Sequence, residues 1–299
     1  METSKQFNEG GKNAVQMPVV TTVGKMAYRP PNVTTHFIGQ GSTGFIWKHP
    51  THPGLVVKYP FRVPLEPRTA KKYEAEIAVL EALGKHPRII KYLGTADTFG
   101  PEMGLIFEEA VNDDVQKYLN VNSGTVEEQL RIKWCKQAAE GIAYCHLWGV
   151  LHRDVRPDNM LLDANLDLSL CDFGGSQLEK DHGLAWPDSF FCDPRDDPQK
   201  AIEATDILSL GTCMYIFMTG HYPHGPMPSN YRPYIEHMEY AQNFEKFIRE
   251  GQFPDVNLIR GGDVIMDCWT KRISSASEAY DRYVQLEDQQ RLQSSSSTA

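Results

Sequence analysis

Three groups of residues have types and spacings suited to phosphate and metal chemistry. The run Gly39-Gln40-Gly41-Ser42-Thr43-Gly44 has G-x-G-x-x-G spacing. Without side chains at Gly39, Gly41 and Gly44, backbone can come close to a polyphosphate and turn its N–H groups towards the anion. An ordinary hairpin turn accounts for the same pattern. A dinucleotide-binding turn would open a helix and be followed about 20 residues on by an acid, whereas here the strand-like Phe45-Ile46-Trp47 follows. The second group starts from Lys58, which ends an apolar run 14 residues after Gly44. It reads either as a strand-end lysine reaching water along its stem or as a buried cation. The third group is His152-Arg153-Asp154-Val155-Arg156-Pro157-Asp158-Asn159 together with Cys171-Asp172-Phe173-Gly174, whose Asp172 lies 18 residues after Asp154. A lone acid at such a place reads as a turn or helix cap. Asp154, Asn159 and Asp172 together form an oxygen-rich set suited to Mg²⁺, with phosphate and water completing an octahedron.

Positioning these groups requires short strands, then a helix. His36-Phe37-Ile38 and Phe45-Ile46-Trp47 flank the glycine-rich turn, Gly54 to Tyr59 reads as a third strand and Leu105-Ile106-Phe107 as a later one. A helix is expected from about Thr69 to Leu83, stopped by Gly84 and by Pro87 beyond it. At about 100° per residue, Tyr73, Ile77, Leu80 and Leu83 form one apolar arc with Glu76 inside it and Glu74 and Glu81 towards its edge. An inward carboxylate without a partner costs several kcal/mol, so Lys58 is its natural counter-ion; the alternative places Glu76 at the solvent rim of the arc. Beyond Asn112 the pattern turns helical, most clearly over Val126 to Leu147. The exception is a hairpin, Met160-Leu161-Leu162 and then Leu166, Leu168 and Leu170 at period two, which folds back to bring Asp154, Asn159 and Asp172 to one edge.

With 299 residues, 41% of them hydrophobic, the chain suffices for one large domain in two lobes. A formal net charge of −9 gives no global attraction to nucleic acid or to an anionic membrane, and neither is an expected partner. The polar Met1 to Gln6 start offers no signal core, and Ile207 to Met218, read as a buried core helix, falls well short of the roughly 20 residues that span a bilayer. The six cysteines, Cys135, Cys145, Cys171, Cys192, Cys213 and Cys268, form no CxxC pair and read as free thiols of a reducing compartment. Residues 1–32 are expected as a flexible N-terminal tail and 286–299 as a disordered Gln/Ser-rich tail.

Taken in order, the glycine-rich loop, the strand lysine with a helix glutamate, the H-R-D-x-x-x-x-N loop and D-F-G resemble a eukaryotic-type protein kinase domain over 33–285, Ser/Thr-like and divergent. Asp267-Cys268-Trp269 resembles the helix motif found late in many kinase domains, while the abbreviated C-terminal part is loosely similar to divergent kinase-like proteins of filamentous fungi. The resemblance implies an α+β bilobal fold: a small antiparallel-sheet N-lobe with one helix over about 33–109, and a mainly helical C-lobe over about 110–285. It also implies ATP and Mg²⁺ as cofactors. Gly39, Gly41 and Gly44, with Ile46 beside them, would cover the nucleotide, Lys58 would hold the α- and β-phosphates, and Glu76 would orient Lys58. Asp154 would accept the proton of the substrate hydroxyl, Arg156 would keep positive charge on the γ-phosphate, and Asn159 and Asp172 would hold magnesium. Phe107 would back the adenine, with Glu108 to Ala110 as the hinge and Asp113 near the ribose.

Other positions read as scaffold. His152 reads as a core histidine, and Asp206 as an N-cap that in the family also bonds the catalytic-loop backbone. His49-x-x-His52 and His221-x-x-His224 lie in Pro-containing loops where a metal is not expected. The chain also departs from the family. Arg156 stands where Ser/Thr kinases carry lysine, a planar fork in place of a compact ammonium. Asp193-Pro194-Arg195 replaces Ala-Pro-Glu, reversing the sign of a residue that in the family pairs with a C-lobe arginine. Ser176 and Ser189 lie between Asp172 and Arg195, where a phosphorylated residue would dock on Arg153. The expected function is phosphoryl transfer from ATP to a protein serine or threonine hydroxyl, with a cytoplasmic location and nuclear residence as its alternative. The alternatives to that activity are a catalytically weak, nucleotide-binding kinase-fold scaffold and a small-molecule phosphotransferase. Peptide substrate and oligomeric state are not legible.

Overall fold

Strand and helix patterns separate at about residue 110, and the structure separates there too. A computed structural model describes residues 20–22, 25–27, 36–61, 65–96, 104–122, 124–178, 191–195, 202–225 and 234–296. A two-stranded hairpin, β1 (Val20–Thr22) and β2 (Lys25–Ala27), lies within the stretch expected as an N-terminal tail, most of which is outside the described residues. The main sheet is antiparallel, with β3 (Phe37–Gln40), β4 (Gly44–Lys48), β5 (Leu55–Pro60), β6 (Tyr92–Ala96) and β7 (Gly104–Glu108) in the order β3-β4-β5-β7-β6. Helix α1 (Pro67–Leu83) packs on one face of it. It begins two residues earlier than expected because Pro67 is tolerated in a first turn, where its missing N–H would be unsatisfied anyway. Strand β6 is not signalled by the sequence, since Gly94 and the exposed Leu93 break the alternation there.

Period two sorts the sheet's side chains. Val56, Leu105 and Phe107 turn towards α1 and join the main core, while Val57 and Tyr59 join Phe45 and Trp47 in a separate small cluster on the other face. Lys58 therefore shares the face of Val56, opposite the helix that carries Glu76.

The second region is helical, with α2 (Val115–Asn122), α3 (Glu128–Leu147), α4 (Glu203–Thr219), α5 (Tyr234–Glu250), α6 (Gly262–Trp269) and α7 (Ala276–Ser296). Short pairs cross it: β8 (Val150–Leu151) with β11 (Gln177–Leu178), and β9 (Met160–Leu162) with β10 (Leu168–Leu170), the expected hairpin. Cys135, Ala138, Ile142 and Cys145 of α3 are fully buried at helical spacing, and α4 is buried almost throughout. Gly211 lets α4 approach α6, since a Cβ there would lie 2.6 Å from the Cβ of Cys268. All six cysteines are free thiols, four buried and Cys171 and Cys192 half-buried.

Two expectations are corrected. Helix α4 starts at Glu203, so Asp206 sits inside its first turn and is not its N-cap. Helix α7 runs to Ser296, through most of the stretch expected as a disordered tail. Its continuation past 285 is anchored by Leu286, which packs on the core and whose carbonyl accepts from Arg260 Nη2 at 3.2 Å, and by a Glu287–Lys136 ion pair. Among the described residues no helix is long and apolar enough to cross a membrane.

Candidate active site

Strand β5 places Lys58 opposite Ile46 of β4 and Leu105 of β7, in the middle of the sheet. Only 4% of the residue is exposed, yet its Nζ donates to both oxygens of Glu76, at 2.8 and 3.0 Å, and to Asp172 Oδ1 at 3.1 Å. Burial works against the ammonium, but the two carboxylates more than offset it and hold the lysine pKa well above its usual range. Glu76 is as deeply buried as Lys58, so the inward reading holds and the rim reading does not. The ring of Tyr73, one turn before Glu76 on α1, lies 5.9 Å from Lys58 Nζ.

Over the lysine runs the glycine-rich turn, closed by a hydrogen bond from Gly41 N to Gly44 O at 2.8 Å. The three glycines serve different ends. A Cβ on Gly44 would lie 2.0 Å from the Tyr59 carbonyl oxygen, so that glycine is needed where two strands meet. A Cβ on Gly41 would meet Lys58 Cε at 3.8 Å, and one on Gly39 would meet nothing. Ser42, which the motif treats as a free position, donates from its hydroxyl to Asp172 Oδ2 at 3.0 Å. No periodicity or residue type marks that contact in the sequence.

The acidic half of the site lies on the loop from His152 to Asn159. Asn159 Nδ2 donates to both Asp154 O and Asp154 Oδ2 at 2.9 Å, which leaves its Oδ1 as the amide's acceptor. Burial pushes the Asp154 carboxyl above its ordinary range, against Arg156 and His152 nearby. Arg153 has a left-handed backbone with φ 64°, costly for a non-glycine residue. Asp206 holds it there: its fully buried carboxylate accepts from His152 N at 2.8 Å, Arg153 N at 2.9 Å and His146 Nε2 at 3.0 Å. Burial opposes ionisation of Asp206, but the His146 contact keeps its carboxyl below the aspartate range.

The hairpin delivers Asp172 to the same place. Asn159 O accepts from Cys171 N at 3.0 Å, and His152 Nε2 meets Cys171 O at 3.1 Å, fixing His152 as a satisfied core histidine. Asp172 follows with φ 61° and turns its two oxygens to Lys58 and Ser42. Burial would raise its carboxyl, but Lys58 holds it below the ordinary range. Asp154, Asn159, Asp172, Lys58 and Glu76 thus form one contiguous set. The carboxylate of Asp172 and the amide oxygen of Asn159 are hard donors that fit a hard divalent cation.

The remaining residues occupy varied places. Arg156 forks onto Asp158, with Nε donating to Oδ1 at 2.5 Å and a second bond between Nη2 and Oδ2. Phe107 is buried on the α1 face of the sheet, and Ala110 O accepts from Asp113 N at 3.2 Å in the turn that follows Glu108. Glu108 faces solvent and pairs with Lys91 at 3.2 Å. Asp113 points outward to Lys117 at 2.6 Å, whereas its neighbour Asp114 is buried, caps Lys117 N of α2 and has its carboxyl pushed by burial up to about 6. A cavity of about 870 Å³ opens at the junction of α1, residues 108–111 and the β9–β10 turn, lined among others by Leu80, His86, Ile90 and Ala110. None of Lys58, Asp154, Asn159 or Asp172 lines it, so convergence of charge and not cavity size marks the site. His49 Nδ1 accepts from Thr51 N and His52 N, while His224 and His221 meet backbone carbonyls, so these rings serve loop structure.

The end of the segment after Asp172 supplies the partner of Arg195. Its Nε and Nη2 bond Asp193 at 2.8 and 2.7 Å, and Nη2 also donates to Trp269 O at 3.0 Å. Asp193 also pairs with Lys271 Nζ at 3.0 Å. Ser176 is buried with its hydroxyl on His152 O, and Ser189 lies outside the described residues.

A family model described as a protein kinase domain matches residues 32–292. Among curated proteins, the chain is 30% identical over 181 residues to the serine/threonine-protein kinase SIK2 of Gallus gallus, covering 58% of this chain and 22% of that one. It is 27% identical over 212 residues to a SIK3 homolog of Danio rerio, a serine/threonine-protein kinase, covering 68% and 16%. The serine/threonine-protein kinase GIN4 of Saccharomyces cerevisiae is 27% identical over 166 residues, covering 53% and 14%. The aligned part is less than a quarter of the length of each relative.

Proposed function

The chain belongs to the protein kinase domain family, and from that membership we propose that it transfers the γ-phosphoryl group of ATP to serine or threonine hydroxyls of proteins. The observation that carries the reading is the shared position of Asp172. It touches Lys58, which is paired with Glu76, and its hairpin is stitched to the loop that presents Asp154 and Asn159. A cation for phosphate oxygens and a base for an alcohol thereby stand on either side of one pair of metal-type donors.

In this reading Lys58 holds the nucleotide's inner phosphates, and Glu76 fixes the ammonium so that little reorganisation accompanies transfer. Asn159 Oδ1 and Asp172 would hold Mg²⁺, which when bound would neutralise charge on the phosphate oxygens. Asp154 hydrogen-bonds the incoming hydroxyl and takes its proton as the new O–P bond forms, while ADP departs with the bonding electrons. Arg156 adds positive charge beside the transferred group. The Ser/Thr preference is supported by the names of the relatives and by the Arg156-Pro157 pair. The free thiols support a reducing compartment, the cytoplasm. Incubation with γ-labelled ATP, Mg²⁺ and a mixed protein substrate tests the proposal. Label should appear on serine and threonine with the parent chain and fall at least about 10²-fold with Asp154→Asn, the scale of general-base loss, while nucleotide affinity persists. Equal labelling by the variant rejects the role of Asp154.

A further inference from the structure

The tip of the glycine-rich turn is fastened to the acid beneath it. Asp172 accepts from Lys58 Nζ on Oδ1 at 3.1 Å and from the Ser42 hydroxyl on Oδ2 at 3.0 Å. With 17% of the side chain exposed and both oxygens engaged, little of the carboxylate is open. Mg²⁺ bonds oxygen at about 2.1 Å, and a hydroxyl hydrogen held on the same atom repels the ion. Asp172 Oδ2 therefore serves either Ser42 or a cation at full strength, not both.

The fastened turn is held against costs of its own. Thr43, the next residue, is 2% exposed, and its buried hydroxyl has no hydrogen-bond partner among the described residues. Leaving a buried hydroxyl unmatched is expensive. Gly41 N donates within the turn to Gly44 O at 2.8 Å, so this amide is not turned towards an anion. A Cβ on Gly41 would lie 3.8 Å from Lys58 Cε, which shows how closely the turn lies over the lysine. Lifting the tip off Asp172 would open the Thr43 hydroxyl to water and uncover Lys58. The Ser42 bond opposes that movement.

Resting on the nucleotide- and metal-binding part of the kinase reading, we infer that Ser42 is an internal rival of the divalent cation for Asp172. Its hydroxyl clasps the turn to Oδ2 and yields that oxygen when a metal–nucleotide complex binds, which frees the turn. Ser42 thereby sets how strongly nucleotide binding depends on the metal, without entering the transfer step.

Calorimetry on the full chain, with ADP as the probe in Mg²⁺ and again in EDTA, tests this without any transfer. Ser42→Ala removes the rival, so its Kd for ADP in Mg²⁺ should fall about fivefold, the scale of one hydrogen bond. Its Kd in EDTA should stay within about twofold of the parent's. Ser42→Thr keeps a hydroxyl and should match the parent in both conditions. Without nucleotide, amide exchange at Gly41 should quicken at least about threefold in Ser42→Ala. The melting temperature should hold near that of the parent, because Ser42 stands at an exposed tip. A Kd in Mg²⁺ that is unchanged or weaker in Ser42→Ala, equal shifts in Mg²⁺ and EDTA, or unchanged exchange at Gly41 would overturn the inference. If ADP binding responds as stated while the parent labels no protein, the transfer reading fails and the clasp stands; a parent that binds no ADP in Mg²⁺ overturns both.

Discussion

At the scale of single residues, Lys58 and Glu76 show how a buried ion pair can be costly to break and still not be what stabilises a fold. Removing one partner leaves the other charged and unpaired in a site with almost no access to water, so Lys58→Met should lower stability by on the order of 3–5 kcal/mol. Combining it with Glu76→Leu should restore part of that loss in urea unfolding, since Asp172 still lacks its counter-ion, while labelling activity stays absent. Recovery of activity in the double variant would show that another cation holds the phosphates. Asp154 makes a prediction of a different kind. Burial holds its carboxyl above the usual aspartate value of about 3.9, and only the ionised form accepts a proton. The acid limb of kcat should therefore lie above that value and vanish in Asp154→Asn. The convergence of Asp154, Asn159 and Asp172 was legible in the sequence because each sits in a short motif, and that of Lys58 because Glu76 falls inside the apolar arc of α1. Ser42 was not, since a hydroxyl at a turn's tip carries no pattern that names a partner 130 residues away.

At the scale of elements, the glycine-rich turn divides into positions with separate physical demands. Gly44→Ala would push a methyl group into the Tyr59 carbonyl, so it should destabilise the sheet by roughly 1–3 kcal/mol, the cost of overpacking. Gly39→Ala meets open space and should leave the melting temperature within the range of a surface change, below about 0.5 kcal/mol, while weakening ATP binding in calorimetry. If Gly39→Ala binds ATP as the parent does, its glycine is not there for the phosphates. Strand, helix and hairpin identities follow from period two and from the arc of Tyr73, Ile77, Leu80 and Leu83, which is why most were readable. Element ends were less so. Glu203-Ala204-Thr205 gives no apolar start for α4, and this is what made Asp206 look like a cap. The contact between Asp193 and Lys271 spans 78 positions and depends on how α6 ends, which no local pattern encodes.

At the scale of the whole molecule, three aspartates tie its parts together, Asp193 and Asp206 buried and Asp172 half-buried. Asp172 joins the sheet to the hairpin, Asp206 joins α4 to the loop from His152 to Asn159, and Asp193 joins the segment end to Lys271 past α6. Burial would raise each carboxyl, but Lys58, His146 and Arg195 respectively hold it below the ordinary value. Each contribution is thus fully present above the unfolded pKa of about 3.9 and is lost as pH falls through the lower folded value. Asp154 runs in the opposite sense, since its raised carboxyl favours the folded state more at acid pH. Urea midpoints should accordingly drop steeply below about pH 4, and Asp206→Asn should flatten that drop; an equal drop in the variant would remove Asp206 from the account. The bilobal division and the helical character of the second region were readable from where strand patterns give way to helical ones, whereas the reach of α7 was hidden by a Gln/Ser composition that also suits solvent. The cluster of Phe45, Trp47, Val57 and Tyr59 is closed off from the larger core, so the roof above Lys58 rests on few interior neighbours of its own. On heating, that roof should loosen as a unit ahead of the layer below it, and bound Mg²⁺-ATP should delay this early step far more than the later one.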